Sequence, residues 1–274
     1  MKFDLTINTD VAHQILTNFI KSEVSRAGFS RAVIGLSGGI DSALSFVLAV
    51  EALGSENVLA VRMPYKASSA DSLEHAQILI EQFQVRNETV EITEMVEPLF
   101  AGDPEISKQR KGNIMARQRM IVLYDRSEVF RGLVIGTSNK TEILLGYSTL
   151  WGDMASALNP IGDLYKTQVR QLSRALGIPS EIVDKAPSAD LWAGQTDESE
   201  LGFTYENVDK LLYLLVDQRF SAQDCIEEGF DERFVNLVLM RVQRNQFKRM
   251  MPPVAKLSNR TIGYDFLYLR DWGT

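Results

Sequence analysis

The segment Gly35-Leu36-Ser37-Gly38-Gly39-Ile40-Asp41-Ser42 constrains the fold more than any other part of the chain. It follows a short apolar run, Ala32-Val33-Ile34-Gly35-Leu36, and precedes a stretch from Ala43 to Leu53 that is apolar nearly all round. The first reads as a buried strand and the second as a helix inside the core. Glycines at such a junction let the backbone turn through positive φ and approach a ligand closely. Successive N–H groups at the helix start then form an anion site, with the Ser37 and Ser42 hydroxyls as further donors. Asp41 is out of place in a plain phosphate cradle, because a carboxylate repels phosphate; a magnesium ion between the two resolves the conflict. The segment has neither the Gly-Lys-Ser/Thr ending of a Walker A loop nor the Gly-x-Gly-x-x-Gly dinucleotide pattern.

Around this loop the chain alternates between strand-like and helix-like patterns. An amphipathic helix over about 10–27, capped by Thr9 or Asp10, precedes the first strand. Val58 to Met63 reads as a second strand, 72–83 as a helix with Leu73 and Ile80 inward, and 85–92 as a third strand. A long helix over 113–130 carries Arg117 and Arg119. Leu133-Val134-Ile135 is a fourth strand ending at Gly136, and Lys166 to Leu176 is a helix closed by Gly177 and Pro179. The alternation predicts an α/β fold with a doubly wound parallel sheet flanked by helices. Beyond Pro187 the pattern turns helical, at about 205–217 and 231–248. The polar stretches 64–72, 101–112 and 190–203 read as loops. The last, with Asp190, Asp197, Glu198 and Glu200, is either a solvated acidic loop or a lid. We expect one domain over 1–274, with an α/β core at about 28–190 and a helical portion at about 200–270.

Composition removes several classes of function. The single cysteine, Cys225, precludes an internal disulfide and a cysteine zinc site, and reads as a structural thiol. The two histidines, His13 and His75, fall in helix-like stretches away from the glycine loop and read as surface or packing residues. A Ser-His-Asp or Cys-His mechanism therefore has little to build on. A net charge of −7 argues against wrapping nucleic acid. No apolar run reaches the roughly 18 residues of a membrane span, and Met1-Lys2-Phe3-Asp4 offers no signal-peptide core, so we expect a cytoplasmic protein.

The order Ser-Gly-Gly-x-Asp-Ser after a strand resembles the PP-loop of ATP pyrophosphatases, which cleave ATP between the α and β phosphates. Later motifs narrow the resemblance. They run Ala60-Val61-Arg62-Met63-Pro64-Tyr65, Lys111-Gly112-Asn113-Ile114-Met115-Ala116-Arg117-Gln118-Arg119-Met120, Gly136-Thr137-Ser138-Asn139-Lys140-Thr141-Glu142 and Asn159-Pro160-Ile161-Gly162-Asp163-Leu164-Tyr165-Lys166-Thr167. Lys185-Ala186-Pro187-Ser188-Ala189-Asp190-Leu191 and Asp197-Glu198-x-Glu200-Leu201-Gly202 follow. In this succession, from the first helix to near the C-terminus, the chain closely resembles NAD synthetases. These use ATP and magnesium to adenylate the nicotinate carboxylate of deamido-NAD, then let ammonia displace AMP.

The resemblance implies a role for each matching residue. ATP would be bound by Gly35, Leu36, Ser37, Gly38, Gly39, Ile40, Asp41, Ser42, Arg62, Thr137, Lys166 and Ser188, with Asp41 and Lys166 acting in catalysis. Asp41 and Glu142 would hold magnesium at the C-terminal edge of adjacent strands; read from the residues alone, Glu142 also suits a helix N-terminal acid, and Lys166 a solvated lysine. Arg117, Asp153 and Lys248 match positions that bind deamido-NAD. Three acceptor-site positions depart from the ammonia-dependent pattern: Leu150 replaces lysine, Ala157 aspartate and Phe247 histidine. The run Thr149-Leu150-Trp151-Gly152-Asp153-Met154 is similar instead to glutamine-dependent members. Because the motifs begin within the first 40 residues, we expect no fused glutaminase, and ammonia arriving free or from a separate glutaminase chain. The family is homodimeric, and the first helix and parts of 113–130 are candidate interfaces or core-facing stripes. The competing readings are a PP-loop ATPase of tRNA modification, disfavoured by the acidic charge, and a non-catalytic nucleotide sensor, disfavoured by the presence of Asp41, Glu142 and Lys166.

Overall fold

A computed structural model describes residues 4–188 and 197–266. Its centre is a four-stranded, all-parallel sheet of β1 (Ala32–Gly35), β2 (Val58–Arg62), β3 (Arg86–Thr89) and β4 (Leu133–Ile135), in the order β3-β2-β1-β4. The register pairs Ala32 with Val58 on one side and with Leu133 on the other. The chain thus leaves β1 in one direction for β2 and later returns to its other side as β4. That reversal makes the β1/β4 boundary the switch point, where parallel sheets open a crevice at their C-terminal edge.

Alternate residues of each strand feed two separate cores, as the period of two requires. Ala32, Ile34, Val58 and Ala60 join a cluster with α1 (Thr9–Arg26), α2 (Ile40–Leu53), α3 (Ala70–Phe83), α7 (Lys166–Ala175) and α8 (Ser180–Val183). Val33, Leu59 and Val61 point the other way, into Val96 and Phe100 of α4 (Thr93–Ala101) and Met115 and Val122 of α5 (Lys108–Phe130). A doubly wound sheet is the result. Helix α2 is buried on nearly every side, as its unbroken apolar sequence requires.

A third core lies outside the sheet. Leu145 of α6 (Lys140–Leu145) and Tyr165 pack there with α9 (Asp197–Leu201), α10 (Tyr205–Leu212), α11 (Ala222–Glu227) and α12 (Glu232–Arg244). Cys225 is buried in this core, and burial pushes its thiol pKa up. Helix α10 continues into a π turn, Tyr213–Asp217, and α12 into a short 3₁₀ turn, Gln246–Arg249.

Several sequence expectations need correction. Asn8, not Thr9 or Asp10, caps α1, accepting from the Val11 N–H. The expected loop at 101–112 is shorter because Ser107 caps α5 and starts it at Lys108. Helix α4 was not expected; Pro98 inside it removes one helical hydrogen bond, yet burial of Val96 and Phe100 holds the segment helical. Of the expected loop 190–203, the part from Asp197 is helical, while Asp190 and Leu191 lie outside the described residues. Among the described residues no helix is long and apolar enough to cross a membrane.

Candidate active site

The glycine loop closes on itself through its serines. Ser42 Oγ accepts from the Ser37 N–H (3.2 Å) and donates to the Gly39 carbonyl (2.9 Å). Gly38 sits at φ +80°, and a Cβ there would lie 2.0 Å from the Ser72 carbonyl oxygen, so only glycine fits. No side chain caps the N-terminus of α2, which leaves its first N–H groups directed at the crevice.

Three charged side chains converge beside this loop from three elements. Asp41 comes from the first turn of α2, Glu142 from the first turn of α6 and Lys166 from the first residue of α7. Lys166 Nζ pairs with Asp41 Oδ2 and lies 3.1 Å from Glu142 Oε1. The lysine is only 2% exposed, so it is not a solvated surface lysine. Asn139 ties the carboxylates together. Its Nδ2 donates to Asp41 Oδ1 (2.9 Å), and its Oδ1 accepts from the Glu142 N–H (3.0 Å) in a capping box. Glu142 therefore serves the start of α6 and faces the crevice as well.

The electrostatics are unbalanced. Burial pushes Glu142 up to about 8; Lys166 pulls it down, and Asp41 and Asp197 add to the rise. Burial opposes the charge on Lys166, but Asp41 and Glu142 outweigh that and raise its pKa. Asp197, also raised by burial, accepts from Tyr205 (3.0 Å) and Tyr147 (3.2 Å). One ammonium thus faces three carboxylates, and a bound cation would relieve the excess negative charge.

A cavity of about 910 Å³ opens over the cluster. Every candidate residue named from the sequence lines it except Gly38, whose space is filled by the Ser72 backbone. Arg62 ends β2 and is held by Gln77 (2.6 Å) and Asn87 (3.1 Å). Thr137 follows β4, and Ser188 closes one rim. At the far end Arg117 donates to the Leu150 carbonyl (3.2 Å), Asp153 Oδ1 accepts from the Thr149 N–H (2.6 Å), and Lys248 donates to the Gly146 and Ser148 carbonyls (both 2.7 Å). Burial lowers the Lys248 pKa, with Asp153 opposing. His13, His75 and Cys225 stand apart from the cavity lining. Asp197 and Glu200, expected in an acidic loop or a lid, also line it. Lys185 and Tyr147 line it too and had been given no role: Lys185 stood in a quoted motif without a local signal, and Tyr147 had no signal beyond its size.

A family model for NAD synthase matches residues 12–252. The NH(3)-dependent NAD(+) synthetase of Chlorobium phaeovibrioides is 57% identical over 98% of this chain and 97% of its own length. The chain belongs to the NAD synthase family. Among solved structures, the NH3-dependent NAD synthetase of Campylobacter jejuni is 33% identical with a TM-score of 0.79, covering 91% of this chain and all of that one. An NMN synthetase from Francisella tularensis is 32% identical with a TM-score of 0.81, covering 92% of this chain and 100% of its own. As an NAD synthase the chain keeps two of its departures within the cavity: Leu150 and Phe247 line it, and Ala157 does not. The loss of aspartate at 157 therefore falls outside the cavity lining, whereas the other two change its polarity.

Proposed function

We propose that the chain adenylates the nicotinate carboxylate of deamido-NAD with ATP and then amidates it with ammonia. The observation that carries this reading is the meeting of the glycine loop, Asp41, Glu142 and Lys166 at the β1/β4 switch point, under one cavity that continues to Arg117 and Lys248. In the first step a carboxylate oxygen attacks the α-phosphorus and pyrophosphate leaves with the bonding pair. Lys166 and the uncapped N–H groups of α2 face the charge that builds on the phosphates. In the second step ammonia adds to the activated carbonyl carbon, loses a proton and expels AMP. No protein nucleophile is needed, in keeping with the remote Cys225 and histidines. Most of the rate gain is then positioning and electrostatics.

Magnesium belongs to the same proposal. Among the described residues no three His, Cys, Asp or Glu side chains form a metal cluster. Two carboxylates are nevertheless the usual protein share of a magnesium site that phosphates and water complete. Asp41 and Glu142 would hold the ion, which would supply positive charge against the phosphate oxygens. The residues at 1–274 would act as a single catalytic unit, and we infer a homodimer, supported by exposed apolar side chains on α1 and α5.

The deciding assay gives the purified protein ATP, magnesium and deamido-NAD with either ammonium or glutamine, and measures NAD, AMP and pyrophosphate. Ammonium should support turnover and glutamine alone should not. A parallel reaction with nicotinate mononucleotide tests the acceptor named for the Francisella relative. Folded protein that yields no NAD with ammonium overturns the proposal.

A further inference from the structure

The helical C-terminal layer grips the backbone beneath both Glu142 and Lys166. Asp209 of α10 is completely buried, and its carboxylate is spent on two partners. Thr141 Oγ1 donates to Asp209 Oδ1 at 2.6 Å, and the Thr167 N–H donates to Oδ2 at 2.8 Å. Thr141 Oγ1 in turn accepts from the Lys166 N–H at 3.0 Å. The neighbours in sequence of the two site residues are thereby joined: Thr141 precedes Glu142, and Thr167 follows Lys166. One carboxylate, reaching in from another helix, caps the start of α7, whose first N–H groups have no partner within their own helix.

A second carboxylate repeats the grip. Asp217, in the π turn, accepts from Lys140 Nζ (2.8 Å) and from the Tyr165 hydroxyl (2.6 Å), again one residue from each segment. Eight positions along an uninterrupted α-helix would leave Asp217 about 80° around from Asp209. The π turn winds more residues into its turn and brings Asp217 back toward the same face. Burying an ionised carboxylate is costly unless it is fully hydrogen-bonded. Asp209 meets that condition through Thr141 and Thr167, while Asp217 is exposed and reaches the same two segments from the surface.

We propose that Asp209, acting through Thr141 and supported by Asp217, is a positioning residue that sets the separation of Lys166 from Glu142 and so the geometry of the phosphoryl-transfer site. The inference rests on the amidation reading above for its kinetic arm only.

Thr141→Val keeps the side-chain volume and removes the hydroxyl bridge; Thr141→Ser keeps the bridge. Steady-state kinetics and amide hydrogen exchange of residues 166–168 are measured on both variants, on Tyr165→Phe and on the unsubstituted protein. Thr141→Val should lose about tenfold to hundredfold in kcat, with the KM for ammonium moving by less than about threefold. Its Lys166 and Thr167 amides should exchange faster, and Thr141→Ser should recover most of both losses. Tyr165→Phe, which frees only the Asp217 arm, should accelerate exchange in the same segment to a smaller degree. Unaltered exchange and kcat in folded Thr141→Val overturn the proposal, as do equal losses in the valine and serine variants. Should Thr141→Val not fold, the exchange of Tyr165→Phe decides. Should the unsubstituted protein make no NAD, the reading of function fails, and the exchange comparison alone decides the clamp.

Discussion

Lys166 is shared by more negative charge than it can neutralise, and that imbalance governs the chemistry of single residues here. Asp41 pairs with it directly and also accepts from Asn139. Asp41→Asn keeps the shape but removes one of two charges available to a divalent ion. We expect pyrophosphate release to fall by about a hundredfold or more, and unchanged release would show that Asp41 does not hold the metal. Glu142 offers a test without substrate. Its pKa rises from the 4.5 usual for a glutamate to about 8, first through burial. Between those values the folded chain keeps a proton that the unfolded chain has lost. The folded state then binds more protons, so stability falls as pH rises across that window. Glu142→Gln cannot titrate and should lack this contribution. In chelator-treated protein, the Tm difference between variant and unsubstituted chain should widen in favour of the variant from the bottom of the window to the top. A difference independent of pH would place Glu142 in a less buried setting than its neighbours provide.

At the level of elements, the loop between β1 and α2 depends on Gly38, a glycine outside the cavity lining. Gly38→Ala would place a methyl group 2.0 Å from the Ser72 carbonyl in a left-handed backbone. We expect a loss of about 1–3 kcal/mol in stability, read from the denaturant midpoint, with weakened ATP binding by calorimetry. Unchanged binding would mean that the loop can relax without losing its function. How far such elements were legible depends on what supports each one. Strands β1, β2 and β4 are buried on both faces and therefore stand out as continuous apolar runs. Asp41 and Glu142 follow β1 and β4 in sequence, and the structure makes those two strands neighbours. Helices α6 and α11, six residues each, are too short to show a period, and their caps reveal them better than their apolar faces. The candidate residues were legible through an ordered succession of motifs; Asp41, Arg62, Thr137 and Glu142 lie at or just after a strand end, whereas Arg117, Lys166 and Lys248 sit on helical segments and were read from motif order alone. The partners of Asp197 were not. Tyr147 and Tyr205 reach it from separate elements, and an aromatic residue in sequence is indistinguishable from core.

For the whole molecule, the proposed homodimer turns on which face would meet a second copy. Helix α1 buries Ile20 and Val24 and exposes Val11, Ile15 and Phe19, so its apolar residues divide between core and surface. Helix α5 exposes Ile121, Tyr124 and Val129, the last at 70%, and its neighbour α4 adds Met95 and Leu99. The two helices lie on opposite faces of the sheet, and a two-fold dimer needs only one self-complementary patch. The α4/α5 face carries more exposed apolar side chains, which makes it the better candidate for the proposed interface. Arg117 on the same helix lines the cavity, so this face would bring the partner close to the acceptor end of the site. We therefore expect the paired substitution Ile121→Asp and Val129→Asp to yield a species of the chain's own 30.8 kDa in sedimentation equilibrium. Ile15→Asp should leave the association of the unsubstituted protein unaltered. If instead Ile15→Asp dissociates the dimer and the α5 pair does not, α1 is the interface. The cavity mouth beside Arg117 then opens to solvent, and the acceptor site is complete within one chain.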